Sequence, residues 1–370
     1  ISAVTLILAK VLGEFGVAYV LCLPVNINVL ATSLYRSVYS NQQGSAAVIV
    51  AAIVLIGAIS LWVDMHFLKE AKRFVTISGK SGSSGNEVKL GRSRILATLA
   101  CVGLFTVSVA LPILVLALST VMRVPGDFSP SNFTLDYWIG TDLQTFGFPS
   151  GILLNAEVLS AAFNTFWIVG LSSVMAGVVG LLVGYVIVRS ESRFLSGTLR
   201  QMLFFPYLVP GIAFATAYLS LFAVQRGPVP ALYGTAALLV IIYFTEQMPF
   251  ASRAGISAMM QLGSETEEAA RVAGAGWFHR FRTIILPVQK RAVATSMLFS
   301  FISAVKSLRL VVILAVPGLE VLTTLSIRLL DVGYTQAGNG VVLVVSALAF
   351  FGTYAVQKIM KTDLSRGLGG

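Results

Sequence analysis

The stretch Glu267–Pro287, EEAARVAGAGWFHRFRTIILP, places five formal charges among small and aromatic residues in a chain that is 56% hydrophobic and only 11% charged. Ser264-Glu265-Thr266-Glu267 has the spacing of a capping box, which predicts a helix starting there, with an acidic first turn facing the positive end of the helix dipole. Gly274 and Gly276 offer the unconstrained backbone that ends such a helix. A second amphipathic helix is expected after them, with Phe278, Phe281 and Ile285 at helical spacing, Arg280 and Arg282 elsewhere, and Pro287 as its stop. Two short linked helices that expose apolar residues form a docking surface for a partner.

Outward from this stretch the chain is apolar. A mean hydropathy of +0.86 over 370 residues excludes an ordinary soluble globule, in which about a quarter of residues are charged. Charge-free runs at Ser37–Val63, Ile95–Met122, Val158–Val188, Gln201–Gln225, Gly227–Thr245 and Val332–Gln357 each reach the roughly 18–20 residues a helix needs to cross a bilayer. Two further runs, Val4–Leu23 and Ala292–Val316, are long enough but carry Lys10 and Glu14, and Lys306 and Arg309. Lipid cannot satisfy backbone amides, and the alternation of a barrel strand is absent. The expected fold class is therefore an all-α integral membrane protein with about eight transmembrane helices.

The net charge of +10 lies in loops between apolar runs, where it orients helices in a membrane rather than binding nucleic acid. Asp64–Arg94 holds seven Lys/Arg against three acids and reads as cytoplasmic; Arg123–Glu157 holds one Arg against four acids and reads as external. Counting crossings from these anchors puts both ends of the chain, and the segment 251–291, in the cytoplasm.

The chain also repeats itself. Glu14–Arg36 aligns without gaps on Lys306–Arg328 at an offset of 292, matching Val29-Leu30 to Val321-Leu322, Thr32 to Thr324 and Arg36 to Arg328. Prolines fall one position apart, at Pro24 and Pro317. The expectation is a parallel repeat: residues 1–63 as the last two spans of a first unit, 64–94 as a cytoplasmic linker, 95–361 as a complete six-helix unit, and 362–370 as a tail. Roughly 200 residues of the first unit would then precede Ile1. Gly79-Lys80-Ser81 in the linker is not a phosphate loop, because Phe74 stands where the leading glycine belongs. Isolated His66 and His279 make no metal site, and no nucleophile, base and acid are grouped for catalysis. Cys22 and Cys101 read as packing residues.

In the opening stretch, Glu268-Ala269-Ala270, three residues, Gly274, nine residues, Ile284, one residue and Leu286-Pro287 resemble the EAA loop of the permease subunits of bacterial ATP-binding cassette importers. Phe205–Phe222 is similar to the third span of such permeases, and Phe133–Trp138 to the lead-in to their second. The two-unit layout looks most like ferric iron importers; thiamine and aminophosphonate permeases share it. The resemblance implies that Glu268, Ala269, Ala270, Gly274, Ile284, Leu286 and Pro287 couple the chain to a cytoplasmic ATPase dimer. It implies an extracytoplasmic substrate-binding protein and a lipid-embedded location in the bacterial inner membrane. ATP and magnesium would be held by the ATPase, so this chain would need no cofactor and catalyse nothing itself. An ion-gradient-driven secondary transporter is the alternative from another class.

Ionisable groups within a membrane span are costly unless paired or wet, so those of the two charged runs are candidates for function. Glu14 and Lys306 are equivalent in the repeat and are expected to approach across the unit interface, with Lys10 and Arg309 at similar depth. They either pair structurally, snorkel, or line a translocation path together with Arg309.

Overall fold

The computed structural model describes residues 11, 14–22, 25–71, 91, 93–140, 150–208 and 211–360. Lys10, Pro24, most of the linker, Asp142 and the tail lie outside the described residues. Helices dominate: α1 (Gly16–Leu21), α2 (Leu30–Tyr39), α3 (Gln43–Ala71), α4 (Ser93–Thr120, with a π turn at Thr106–Ala110), α5 (Ala156–Arg189), α6 (Arg193–Leu208), α7 (Gly211–Phe222), α8 (Ala236–Gln261), α9 (Glu265–Val272), α10 (Lys290–Val305), α11 (Leu322–Asp331) and α12 (Thr335–Met360).

Among the described residues, α4, α5 and α12 are long and apolar enough to cross a membrane; Gly44–Ile59 and α7 are shorter apolar segments. On α4, Ile95, Leu96, Leu99, Val102, Leu104, Phe105 and Val107 are all exposed, an apolar surface suited to lipid or to an apolar partner. Three expected spans are redrawn. The run 37–63 breaks at Asn41, whose φ of +55° turns the chain between α2 and α3. The span expected at Gly227–Thr245 begins instead at Ala236, where Thr235 Oγ1 accepts the Leu238 amide, and runs on through Glu246 to Gln261. The run 292–316 is helical only to Val305, so Lys306 and Arg309 stand in a turn rather than inside a helix.

The centre of the bundle is the α5–α8 pair, and its sequence explains why the two helices come so close. A Cβ on Gly184 would sit 2.2 Å from the Gly255 carbonyl carbon, and one on Gly255 would sit 2.0 Å from the Gly180 oxygen. Small residues four apart on both helices let backbone meet backbone, the usual source of contact between helices in lipid. Ser172 Oγ donates to Val240 O at 3.1 Å across the same seam. Around it, Ile168, Leu238, Ile242, Leu322, Leu325 and Val341 form the main buried core. The N-terminal segment packs separately, Phe15, Leu34 and Ile53 closing on Ile212 and Ala213 of α7.

The 292-residue repeat is written in the backbone. Val29 N donates to Thr32 Oγ1 at 3.0 Å and Val321 N to Thr324 Oγ1 at 3.0 Å, so each copy starts its helix with the same side-chain cap. The exits match too: Gln42 N donates to Ser37 O at 2.8 Å and Tyr334 N to Leu329 O at 2.8 Å. Positive φ recurs at Asn26 and Gly318, and again at Asn41 and Gly333. Gln43 and Thr335 then open α3 and α12 at the same offset.

Candidate functional sites: an end loop and a charged cleft

The loop between α8 and α10 sits at one end of the α5–α8 pair. It opens with α9, as the acidic run predicts, and Gly274 at φ +81° turns the chain after Ala273. Gly276 has an ordinary extended conformation, φ −65°, so the turn depends on one glycine rather than two. Trp277–Arg280 then starts a helix that widens into a π turn at Phe281–Ile285 and ends at Leu286–Val288, one residue past Pro287. Pro287 donates no hydrogen bond and its ring crowds the carbonyl four residues back, which accounts for the widened turn before it.

The predicted capping box does not form. Ser264 has a helical rather than extended backbone and its hydroxyl makes no cap bond among the described residues, while the Glu267 carboxylate is engaged elsewhere. Tyr185 Oη donates to Glu267 Oε1. Arg189 Nε lies 3.4 Å from Glu267 Oε2, and Arg280 Nε 3.6 Å from Oε1. Arg189 Nη2 also donates to Leu262 O at 2.8 Å. Beneath this cluster Phe281 and Ile285 are buried with Leu181, Ala258, Met259 and Val293. Glu268 and Ala269, by contrast, face outward; Gly274 and Pro287 are exposed, and Ala270, Ile284 and Leu286 are half-buried. Val272 is 90% and Phe278 66% exposed beside them. The loop is thus bolted to the bundle through one glutamate and presents the adjacent one to its surroundings.

The second site is a cleft of about 490 Å³ whose lining includes Glu14, Glu246, Lys306, Ser307 and Arg309. It brings Glu14, Lys306 and Arg309, three of the four charges singled out in the two odd spans, to one place; Lys10 lies outside the described residues. Glu14 and Lys306 do not close on each other: among the described residues the ion pair here is Arg309 Nε to Glu246 Oε1, at 3.1 Å. Ser307 Oγ donates to the same oxygen at 2.7 Å, while Glu246 Oε2 is buried with no hydrogen-bond partner among the described residues. Gly211 makes room for this arrangement, since a Cβ there would lie 2.7 Å from Arg309 Cγ. Glu246 is only 8% exposed, and it escaped the reading of the sequence because the charge-free run was ended at Thr245, immediately before it. An acid inside an otherwise apolar helix was itself the signal. Tyr185, Arg189 and Glu267 carried no comparable mark, because their meeting depends on how α5 packs.

Comparison with known proteins follows these features. The model of a family described as "Binding-protein-dependent transport system inner membrane component" matches residues 176–365, covering α8, both loop helices and the cleft turn. Fe(3+)-transport system permease protein FbpB 2 of Haemophilus influenzae is 24% identical over 328 residues, 87% of this chain and 58% of that protein. Ferric transport system permease protein FbpB of Actinobacillus pleuropneumoniae is 23% identical over 333 residues, 88% of this chain and 46% of that one. The chain therefore spans about half the length of these relatives. In fold it is similar to a chain of a bacterial ABC transporter involved in the import of the acidic polysaccharide alginate, with a TM-score of 0.56, 15% identity, and coverage of 73% of this chain and 97% of that one. With just over half of its residues inside the matched region, the chain belongs to the family of binding-protein-dependent transport system inner membrane components.

Proposed function

We propose that the chain is the membrane permease of an ATP-driven importer in the bacterial inner membrane, that ferric iron is its substrate, and that both of its ends lie in the cytoplasm. A cytoplasmic ATPase dimer would dock on the loop through Glu268, Ala269, Ala270 and Gly274, with Ile284, Leu286 and Pro287 shaping the second helix. An extracytoplasmic binding protein would deliver the substrate, and the cleft at Glu14, Lys306 and Arg309 would belong to its path. ATP and magnesium stay with the ATPase.

The outward face of α9 carries this reading. Glu268 and Val272 lie exposed at the end of the bundle while Glu267 holds the helix in place, the division of labour a docking element needs. The ferric substrate is supported by the ferric permeases of Haemophilus influenzae and Actinobacillus pleuropneumoniae named above. The experiment is uptake by proteoliposomes holding the full-length permease, its ATPase and its binding protein. ATP-dependent uptake of ferric iron, abolished by omitting the ATPase, is expected. Uptake driven by an ion gradient without ATP would make the protein a secondary transporter, and ATP-driven uptake of another solute would overturn the substrate.

A further inference from the structure

We infer that Glu267 is the positioning residue through which movement of the docking loop reaches the membrane bundle. The inference rests on the loop being the ATPase contact and adds the route inward. The loop is joined covalently to α8 and α10, but α5 is remote in sequence: Tyr185 and Arg189 stand 82 and 78 residues from Glu267. The Glu267 carboxylate bridges that gap, taking the Tyr185 hydroxyl and both arginines, one from α5 and one from the second loop helix. A single side chain therefore ties together the docking helix, the second loop helix and the end of α5.

Aromatic packing stiffens the same junction. Trp277 stacks on Phe281 with ring centroids 5.7 Å apart, and Tyr185 meets Phe281 edge-on at 6.3 Å. Beyond the junction α5 and α8 touch backbone to backbone at Gly180, Gly184 and Gly255. A displacement delivered at Arg189 must move the two helices together, because contacts that close leave no room to slide one past the other. α8 carries Glu246, the partner of Arg309 in the cleft. The physical path thus runs from α9 through Glu267 to the α5–α8 pair and on to the cleft. Glu268, its neighbour, has no place on that path and serves the contact with the partner.

The test uses the full-length permease assembled with its ATPase and reads three quantities: ATPase retained on purification, ATP hydrolysed, and solute transported per ATP. Glu267→Gln is expected to retain the ATPase and its hydrolysis while lowering transport per ATP about fivefold or more, the usual size of a coupling between sites. Glu267→Asp, which keeps the charge, should restore part of the ratio. Tyr185→Phe removes one hydroxyl without threatening the fold and should lower the ratio in the same direction. An unchanged ratio in Glu267→Gln or in Tyr185→Phe overturns the inference. Loss of ATPase retention in Glu267→Gln also overturns it, by making Glu267 a docking contact. Failure of the wild-type permease to retain any ATPase would instead overturn the importer reading on which the inference stands.

Discussion

Arg309 reaches Glu246, with Nε 3.1 Å from Oε1, and leaves Glu14 and Lys306 facing the same cleft without an ion pair between them. The repeat made Glu14 and Lys306 equivalent, but equivalence fixes depth and not contact. Lys306 is released from its helix at Val305, and the turn that follows swings Arg309 toward Glu246 of α8, with Gly211 at the start of α7 leaving space for its stem.

Breaking this pair from one side should cost more than removing it. Arg309→Met leaves a buried carboxylate held by Ser307 alone, a loss of about 3 kcal/mol at most because the arginine side chain is one-third exposed. Glu246→Gln with Arg309→Met should unfold closer to the wild type than Arg309→Met does. Thermal unfolding of the detergent-purified protein, read as a double-mutant cycle, checks this; strictly additive shifts would contradict it.

Glycines on α5 and α8 should divide sharply from glycines elsewhere. Gly255→Ala drives a methyl group into the Gly180 backbone and is expected to cost about 1–3 kcal/mol or prevent accumulation in the membrane. Gly103→Ala on α4 meets nothing within 4 Å and should be neutral or stabilise by about 0.5–1 kcal/mol. Unfolding midpoints of the two variants measure the difference.

The two copies of the repeat should respond alike to loss of their caps. Thr32→Val and Thr324→Val each remove a hydroxyl that takes the amide three residues back, about 1 kcal/mol apiece. Hydrogen exchange of the Val29 and Val321 amides should accelerate by similar factors. A loss of protection in one copy only would mean that the matched geometry is not matched in energy.

Much of the loop was legible because its signals are local. Acids in a first turn, a glycine needed for positive φ at 274 and a proline at 287 act within a few residues, and the chain turns where they stand. What escaped was decided by packing. Glu267 abandons its local cap because its carboxylate accepts from the Tyr185 hydroxyl and pairs ionically with Arg189, both contributed by α5, and with Arg280 of the second loop helix. The span boundary at Thr245 failed because the charge that follows it was treated as the end of a run. Glu246 sits well inside α8, where Ser307 and Arg309 satisfy one of its oxygens, and the charged turn at Lys306–Arg309 is tolerated because it lines a cleft.

Gly274 should be replaceable only at a cost set by its backbone. A Cβ there meets nothing within 4 Å, so strain at φ +81° acts alone. Gly274→Val is expected to cost about 1–2 kcal/mol, Gly274→Ala less, and Gly276→Ala almost nothing. Limited proteolysis of the loop in native membranes ranks the three; equal sensitivity at positions 274 and 276 would refute the turn.

The central claim is that the outward face of α9 binds the ATPase, and the most direct measurement is capture of the purified ATPase by membranes carrying the full-length permease, wild type or Glu268→Arg. Glu268 is exposed and takes no part in the ion pairs among the described residues, so its reversal should leave the fold intact. Capture should fall about tenfold, the effect of one reversed charge worth roughly 1.4 kcal/mol at an interface. Equal capture by the two membranes, at equal amounts of folded permease, would contradict the account.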